Sequence, residues 1–406
     1  MSAIRQRMLS LIVVTLLVAT LSPSWNQAQA QAGIVVENPQ AQAEFGKSIK
    51  FTAKITAASP IQQASLLFRG DNEEVTRVET LTPKADGSVE FTYDASLNVF
   101  PPFSWVVYWF QATLADGKTY TSEQYRFQYI DNRFPWREVS QNNVTVHWYG
   151  GDDAFGVSAL NAAATGLLGM KDIVPISLTE PVHIYIYAVE QDLIDTMLLG
   201  GREWAGGHAH TDLGVVLVAI PPGAGQVNEM ERLIPHELAH VMLYRWLGPN
   251  YEKQPVWLIE GIASMMEIYP NPDYARVLEI ASANNTLIHF NDLCATFPAD
   301  TGSAYLAYAQ SQSFVTYIRD SFGVSGISRL TSAYSDGFEC NLGATKALGS
   351  SLDQLDLRWR QTVLGQNSGG IAFFNLLPFF VLLAIVMMVP LWSIIDMFIR
   401  SRKNAA

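Results

Sequence analysis

The chain has 406 residues, 49% of them hydrophobic, and a formal net charge of −12 at pH 7. This length is enough for two domains and a large buried core. Residues 1–32 hold two of the 26 basic residues, and residues 371–406 hold three more and one of the 38 acidic residues, which leaves 21 basic and 37 acidic residues between them. A surface this acidic repels polyanions, so the composition excludes nucleic acid as a partner and argues against a polyanionic substrate.

Residues 1–32 have the features of a removable signal peptide. Arg5 and Arg7 precede an apolar run at 8–21, and the small residues at 28–32 fit a cleavage site. An uncleaved membrane anchor is the alternative, but the apolar run is short for a span. We therefore expect the mature chain to be exported.

Residues 33–130 predict an all-β sandwich of immunoglobulin or fibronectin type, with about six or seven strands. Asp86-Gly87 and Asp116-Gly117 lie between the predicted strands, where hairpin turns favour residues that tolerate positive φ. The stretch contains no catalytic constellation, so we expect a binding or spacing module and prefer the role of spacer. Alternating apolar residues mark the strands: Ile49, Phe51, Ala53 and Ile55; Val89, Phe91 and Tyr93; Trp105, Val107 and Trp109; Tyr125, Phe127 and Tyr129.

The alternation stops at residues 131–136, and residues 131–365 predict an α+β domain. Its first part alternates strands with helices. We predict strands at 144–148, 181–188 and 215–220, and helices at 153–170 and 190–199.

The motif His236-Glu237-Leu238-Ala239-His240 predicts a metal site. On a helix, residues four positions apart lie on one face, so His236 and His240 can bind one ion. Glu237 follows a ligand directly and is suited to take a proton from a metal-bound water. Pro235 precedes His236 and removes a backbone hydrogen bond, so either the helix begins there or a bend aims His236 at the ion.

A catalytic zinc ion takes three protein ligands and keeps one position for water. Glu260, twenty residues after His240, is the candidate for the third ligand. Gly248 and Pro249 end the predicted helix that carries the two histidines, and Pro255 suits the first turn of the predicted helix that carries Glu260. The two helices therefore form a hairpin. We expect one zinc ion per chain, held by His236, His240 and Glu260.

Residues 257–263 read Trp-Leu-Ile-Glu-Gly-Ile-Ala, which resembles the WLxEGxA sequence of the gluzincins, the HExxH metallopeptidases with a downstream glutamate ligand. Over residues 130–365 the chain is similar above all to bacterial peptidase MA-like domains. The resemblance implies His236, His240 and Glu260 as ligands and Glu237 as general base. It also implies that Glu267, which is not itself a ligand, supports one of the histidines. Ile259 stands where this branch often has Asn, so recognition of a substrate amino terminus is not implied.

The resemblance also implies a tyrosine from a later helix that stabilises the oxyanion. Tyr308 and Tyr305, in a helix predicted at 303–320, are the candidates, and Tyr308 is preferred. The alternative is a packed aromatic stripe, because Tyr305, Tyr308, Phe314 and Tyr317 have near-helical spacing.

His208 and His210 alternate beside glycines, ahead of the strand predicted at 215–220. They could form a second metal pair, but such a pattern is more typical of loop residues. The resemblance implies that the strand at 215–220 is a sheet edge next to the zinc site, where an extended peptide can pair with the backbone.

Cys294 and Cys340 are the two cysteines of the chain. Because the signal peptide implies an oxidising compartment, we expect a disulfide between them, with two free buried thiols as the alternative.

Residues 371–395 are almost uniformly apolar and long enough to cross a bilayer as a helix. Arg400, Arg402 and Lys403 follow, so together with the signal peptide they predict a type I membrane protein with a cytoplasmic tail at 396–406. A buried core helix is the alternative, although such helices seldom run this long without a polar face.

These features together predict a membrane-anchored extracytoplasmic zinc metallopeptidase that acts on peptides or proteins. The alternative is a catalytically inactive, surface-displayed binding protein that keeps the metallopeptidase fold. The intact Glu237 argues against this alternative, since a structural metal needs no base.

Overall fold

The structure, a computed structural model, describes residues 33–96, 100–199, 207–366, 376–388, 390 and 392. These residues divide between Arg133 and Phe134 into two compact units, where the sequence predicts a boundary between 130 and 131. The predicted signal peptide at 1–32 and cytoplasmic tail at 396–406 lie outside the described residues.

The first unit is built from antiparallel strands, which confirms the all-β prediction. One sheet has the order β1-β2-β5 and the other has the order β4-β3-β6-β7, with β8 also paired to β6. The strands described are β1 (Ile34–Glu44), β2 (Ser48–Ala57), β3 (Ile61–Gly70), β4 (Arg77–Leu81), β5 (Ser88–Asp94), β6 (Trp105–Leu114), β7 (Thr119–Thr121) and β8 (Tyr125–Gln128).

Aromatic side chains fill the space between these two sheets. Phe51 on β2 lies 5.1 Å from Phe68 on β3 and 5.3 Å from Tyr108 on β6, measured between ring centroids, and all three are buried. Each buried ring removes roughly 150–250 Å² of apolar surface from water, so this aromatic layer supplies much of the driving force for the unit.

One predicted hairpin turn is wrong and the other is confirmed. Gly117, with φ of 84°, turns the chain between the paired strands β6 and β7. Gly87, with φ of 83°, turns the chain between β4 and β5, which belong to different sheets. The same Asp-Gly signal therefore marks a crossing between sheets at one position and a hairpin at the other.

The second unit begins with a mixed five-stranded sheet of order β12-β13-β11-β10-β9. The pairs β10–β11 and β11–β13 are parallel, whereas β9 and β12 run antiparallel to their neighbours. Helix α1 connects the parallel strands β10 and β11. The elements are β9 (Arg137–Gln141), β10 (Val144–Trp148), α1 (Asp153–Met170), β11 (Val182–Tyr187), α2 (Glu190–Leu199), β12 (Gly207–His210) and β13 (Val215–Ala219).

The rest of the second unit is helical. The predicted helical hairpin is present as α3 and α4, joined by a 3-10 helix at Gly248–Lys253. Helix α3 runs through Pro235, so Pro235 lies inside the helix and does not begin it. The helices are α3 (Gln226–Leu247), α4 (Val256–Met265), α5 (Tyr274–Ala283), α6 (Thr301–Phe322), α7 (Val324–Ser335), α8 (Cys340–Leu348) and α9 (Leu352–Thr362).

A disulfide joins Cys294 to Cys340, with Cα atoms 6.2 Å apart, and so rules out two free thiols. It closes a loop with a sequence separation of 46, which the chain-entropy relation makes worth roughly 4 kcal/mol. The indole nitrogen of Trp257, in the first turn of α4, donates to Cys340 Sγ at 3.3 Å. The cross-link therefore lies next to the start of the helix that carries Glu260.

The predicted transmembrane segment at 371–395 falls partly outside the described residues. Residues 376–388 within it are helical and exposed. Among the residues that are described, no helix has both the length and the apolar character needed to span a membrane.

Two histidines are stacked on the sheet of the second unit, on the β10 and β11 strands. His147 Nε2 lies 3.1 Å from His183 Nδ1, and the His147 ring stacks on Tyr185 at 4.2 Å between centroids. Burial, and then the neighbouring His183, lower the pKa of His147 from 6.5 to about 4. The folded chain therefore holds His147 neutral at pH values where the unfolded chain protonates it.

Acid is expected to destabilise the second unit through His147. Because the pKa is lower in the folded state, the stability present above pH 6.5 is lost as the pH falls toward 4, by about 3 kcal/mol at most. His147→Phe keeps a stacked ring without the proton site, so its free energy of unfolding should fall less than that of the wild type between pH 7 and 4. Urea denaturation of the wild type and His147→Phe at both pH values measures this. Parallel losses in wild type and His147→Phe would contradict the assignment.

Candidate metal centre

Helices α3 and α4 bring together the three predicted ligands. His236 and His240 are one turn apart on α3, with ring centroids 5.1 Å apart. Glu260 Oε2, on α4, lies 3.5 Å from the Nε2 atom of each ring. In the described part of the chain, this is the group of three metal-ligating side chains whose ligand atoms all lie within 4.8 Å of one another. We call these three residues the ligand triad.

The ligand triad has the spacing and the donor atoms that zinc requires. Tetrahedral coordination at about 2.1 Å places ligand atoms about 3.4 Å apart, close to the 3.5 Å seen between Glu260 Oε2 and each imidazole. Glu260 Oε2 is buried and has no hydrogen-bond partner. A buried carboxylate oxygen without a donor is costly, and a cation between the three ligand atoms removes that cost. The residues therefore fit a zinc ion.

Charge at the centre also favours a cation. Burial alone would raise the pKa of Glu260, but the neighbouring His240 and His236 hold it well below its usual range. Burial alone would lower the pKa of His236, whereas the carboxylates of Glu260 and Glu267 raise it to about 10. Three carboxylates surround two imidazoles here, so a proton or a metal ion is needed to balance the charge.

The outer nitrogens of both histidines have partners that orient the rings. His236 Nδ1 lies 3.1 Å from Glu267 Oε1, as the resemblance implies, and His240 Nδ1 lies 3.0 Å from the hydroxyl of Tyr251. With a metal ion bound to Nε2 of both rings, each Nδ1 would carry the ring proton and donate a hydrogen bond to its partner. Sequence reasoning missed Tyr251. It lies in the 3-10 helix between α3 and α4, eleven positions after His240, and no motif signals it.

Glu237 is part of helix α3, and its buried side chain faces strand β12. Burial raises its pKa, and the positive charges of His236 and His240 only partly oppose this. Gly207 on β12 makes the close approach possible, since a Cβ there would lie 2.6 Å from Glu237 Oε1. The carboxylate is thus withdrawn from water next to the ligand triad.

Helix α6 brings Tyr308 and Tyr305 to the same cleft. Gly261 allows α4 and α6 to touch, because a Cβ there would lie 2.5 Å from the carbonyl oxygen of Ser311. The Tyr308 ring lies 6.2 Å from the His236 ring, and the charge of Glu260, followed by burial, raises the pKa of Tyr308. The hydroxyl of Tyr305 instead donates to Asn271 Oδ1 at 2.7 Å. Of the two candidates, Tyr308 is therefore the one whose hydroxyl pKa is raised by a residue of the ligand triad, Glu260.

The ligand triad forms part of the wall of a cleft of about 470 Å³. Strand β12 stands at one end of the sheet and contributes Gly207, His208 and Ala209 to the cleft. Helix α3 forms another side, and Tyr305 and Tyr308 line the cleft from α6. The arrangement puts a sheet edge, a candidate base and a candidate metal site around one space.

Two sequence predictions near the cleft are corrected by the sheet. His208 and His210 lie on strand β12 and not in a loop, with ring centroids 4.7 Å apart. The strand at Val215–Ala219, predicted as the sheet edge, pairs with β11 on one side and β12 on the other. The edge strand is Gly207–His210, because the chain turns back after His210 and adds β13 inside it.

A family model matches most of the second unit. A family model described as the Peptidase MA superfamily matches residues 162–365, which is half of the chain. No curated protein matches. Among solved structures, the chain is similar to an M1 zinc metallopeptidase from Deinococcus radiodurans, at 12% identity over 81% of this chain and 94% of that one, with a TM-score of 0.39.

Other similar structures cover smaller parts of the chain. One is a β-1,3-glucan binding domain of carbohydrate-binding module family 56, at 12% identity over 24% of this chain and 99% of that one, with a TM-score of 0.17. Another is a cycloalternan-degrading enzyme from Trueperella pyogenes, at 17% identity over 29% of this chain and 18% of that one, with a TM-score of 0.18. From the match over residues 162–365, the chain belongs to the peptidase MA superfamily.

Proposed function

We propose that this chain is a zinc metallopeptidase that hydrolyses peptide bonds, with one zinc ion per chain held by His236, His240 and Glu260. The observation that carries the proposal is the buried carboxylate of Glu237 beside these ligands, in a cleft bordered by a sheet edge. A metal site kept only for stability has no need of such a base.

Glu237 is the general base of the proposed reaction. When bound, zinc supplies Lewis-acid chemistry: it lowers the pKa of a water toward neutrality and polarises the peptide carbonyl. Glu237 accepts the proton of the attacking water and then delivers it to the leaving amine nitrogen. Burial raises the pKa of Glu237, which makes its carboxylate a stronger base than that of an exposed glutamate.

Tyr308 is the proposed donor to the oxyanion. The charge of Glu260 and burial raise its pKa, so its hydroxyl stays protonated and can donate a hydrogen bond. Such a bond strengthens as the carbonyl oxygen gains negative charge, and it therefore stabilises the transition state more than the substrate.

The substrate is proposed to be an extended polypeptide. Among the described residues, β12 is the outermost strand of its sheet and borders the cleft, and an outermost strand can pair through its backbone with an added strand. Backbone pairing depends little on side chains, so we expect broad sequence tolerance around the cut bond.

The proposal includes a location on the extracytoplasmic side of a membrane. The sequence supports it with the signal-like residues 1–32, the apolar residues 371–395 and the following cations Arg400, Arg402 and Lys403. The disulfide between Cys294 and Cys340 fits an oxidising compartment.

Cleavage of a broad peptide library by the purified full-length chain tests the proposal. Cleavage is expected, and it should stop with a zinc chelator and return when zinc is added back. Internal cuts indicate an endopeptidase, and cuts after the first residue indicate an aminopeptidase. A chain that holds zinc in elemental analysis but cuts nothing would contradict the proposal and favour a binding protein.

A further inference from the structure

Pro235 leaves one backbone carbonyl of helix α3 without its usual helical N–H donor. In an α-helix the N–H of residue 235 donates to the carbonyl of residue 231, but a proline has no N–H. Within α3 the carbonyl oxygen of Glu231 instead accepts from two residues that follow α4, Ile268 N at 2.9 Å and Tyr269 N at 3.3 Å. The missing bond is thus replaced by a tertiary contact between two parts of the hairpin.

This contact fixes the segment that carries Glu267. Helix α4 ends at Met265, and the next helix, α5, begins at Tyr274. Glu267 directly precedes Ile268, is buried, and places Oε1 3.1 Å from His236 Nδ1. Because the Ile268 N–H is bound to the carbonyl of Glu231 on α3, the preceding residue Glu267 is held over the same helix, at His236.

Pro235 itself has little freedom to move. It is buried in α3 and faces Gly166 on α1, where an added Cβ would lie 2.8 Å from Pro235 Cβ. The Pro235 ring is thus packed against helix α1.

We propose that Pro235 is a positioning residue for the metal centre: by releasing the carbonyl of Glu231 it docks the segment after α4 onto α3 and holds Glu267 against His236. This inference rests on the proposed function, because it takes His236 to be a zinc ligand. Outer partners of metal-binding histidines set the ring orientation and the basicity of the ligand, so a loosened Glu267 weakens zinc binding.

Pro235→Ala in the full-length chain is the direct test. Alanine restores an N–H that competes with Ile268 for the Glu231 carbonyl, and it favours the helix. Chelator competition on the initially metal-free protein should show zinc affinity about 3–10-fold weaker than wild type, less than the 10–100-fold typical of deleting an outer partner. Amide hydrogen exchange at Ile268 and Tyr269 should become faster.

A double-mutant cycle separates this route from a general loss of packing. Glu267→Gln should weaken zinc affinity, and Pro235→Ala combined with Glu267→Gln should weaken it no further, since both act through the same contact. Ile234→Val is the matched control, because it removes one buried methyl group from the neighbouring position of α3 and leaves the backbone bonds unchanged. It should lower stability and leave zinc affinity as in wild type.

The outcomes of these measurements are distinct. Additive losses in the double variant, or unchanged zinc affinity and exchange in Pro235→Ala, would overturn the inference. Exchange in the wild-type protein provides a second measurement that needs no variant: if the Ile268 amide exchanges as fast as an amide without a hydrogen bond, the inference fails. Absence of zinc binding in the wild type would defeat the proposed function instead, whatever Pro235→Ala does.

Discussion

Glu237→Gln is expected to reduce peptide hydrolysis by about 10³-fold or more while zinc stays bound, because a positioned general base contributes roughly 10²–10⁴-fold. Glutamine has the same shape as glutamate and fills the same space beside Gly207, so the ligand triad should stay intact. It cannot accept the water proton. Turnover of a cleaved peptide and zinc content by elemental analysis are measured on the same sample.

Glu279→Gln is the matched control for that variant. Glu279 is exposed on α5 and lies outside the cleft, so the same change of charge should leave turnover and zinc content as in wild type. Turnover of zinc-loaded Glu237→Gln within tenfold of wild type would assign the base to another group. A loss of both zinc and turnover would show that Glu237 holds the metal centre together.

The features of the centre that depend on local geometry could be predicted from the sequence. His236 and His240 meet because four residues make one helical turn, and Glu237 follows from its place between them. Gly248, Pro249 and Pro255 mark the ends of α3 and α4, and these ends bring Glu260 opposite the histidines.

The features that depend on contacts between distant segments could not be predicted. Tyr251 reaches His240 only through the shape of the connecting 3-10 helix. Pro235 has a clear local effect, yet its partner Ile268 is set by how α4 returns to α3. A local pattern states which backbone group loses its bond, and only the tertiary structure states which group replaces it.

Sheet order shows the same limit. The apolar run at Val215–Ala219 predicts a strand whether it lies inside a sheet or at its edge. His208 and His210 precede it in a segment with few strand-forming residues, and the segment is a strand because it pairs with β13. The sequence therefore predicts the sheet edge one strand further along the chain than the structure has it.

Glu260→Ala is expected to lower zinc affinity by at least about 100-fold, since loss of a direct ligand exceeds the 10–100-fold effect of losing an outer partner. Glu260 Oε2 is the one oxygen of the ligand triad, and it lies 3.5 Å from both imidazole nitrogens. Without it two nitrogens remain, and a zinc site with two protein ligands is incomplete.

Two measurements on Glu260→Ala distinguish a lost ligand from a damaged fold. Chelator competition gives the affinity, and the thermal unfolding midpoint is recorded with and without zinc. Zinc stabilises only a folded state that binds it, so the wild-type midpoint should rise with zinc and that of Glu260→Ala should not. Glu279→Ala should behave as wild type. A Glu260→Ala protein that keeps full zinc content and a zinc-dependent midpoint would remove Glu260 from the ligands, and the two histidines would then need another oxygen to complete the site.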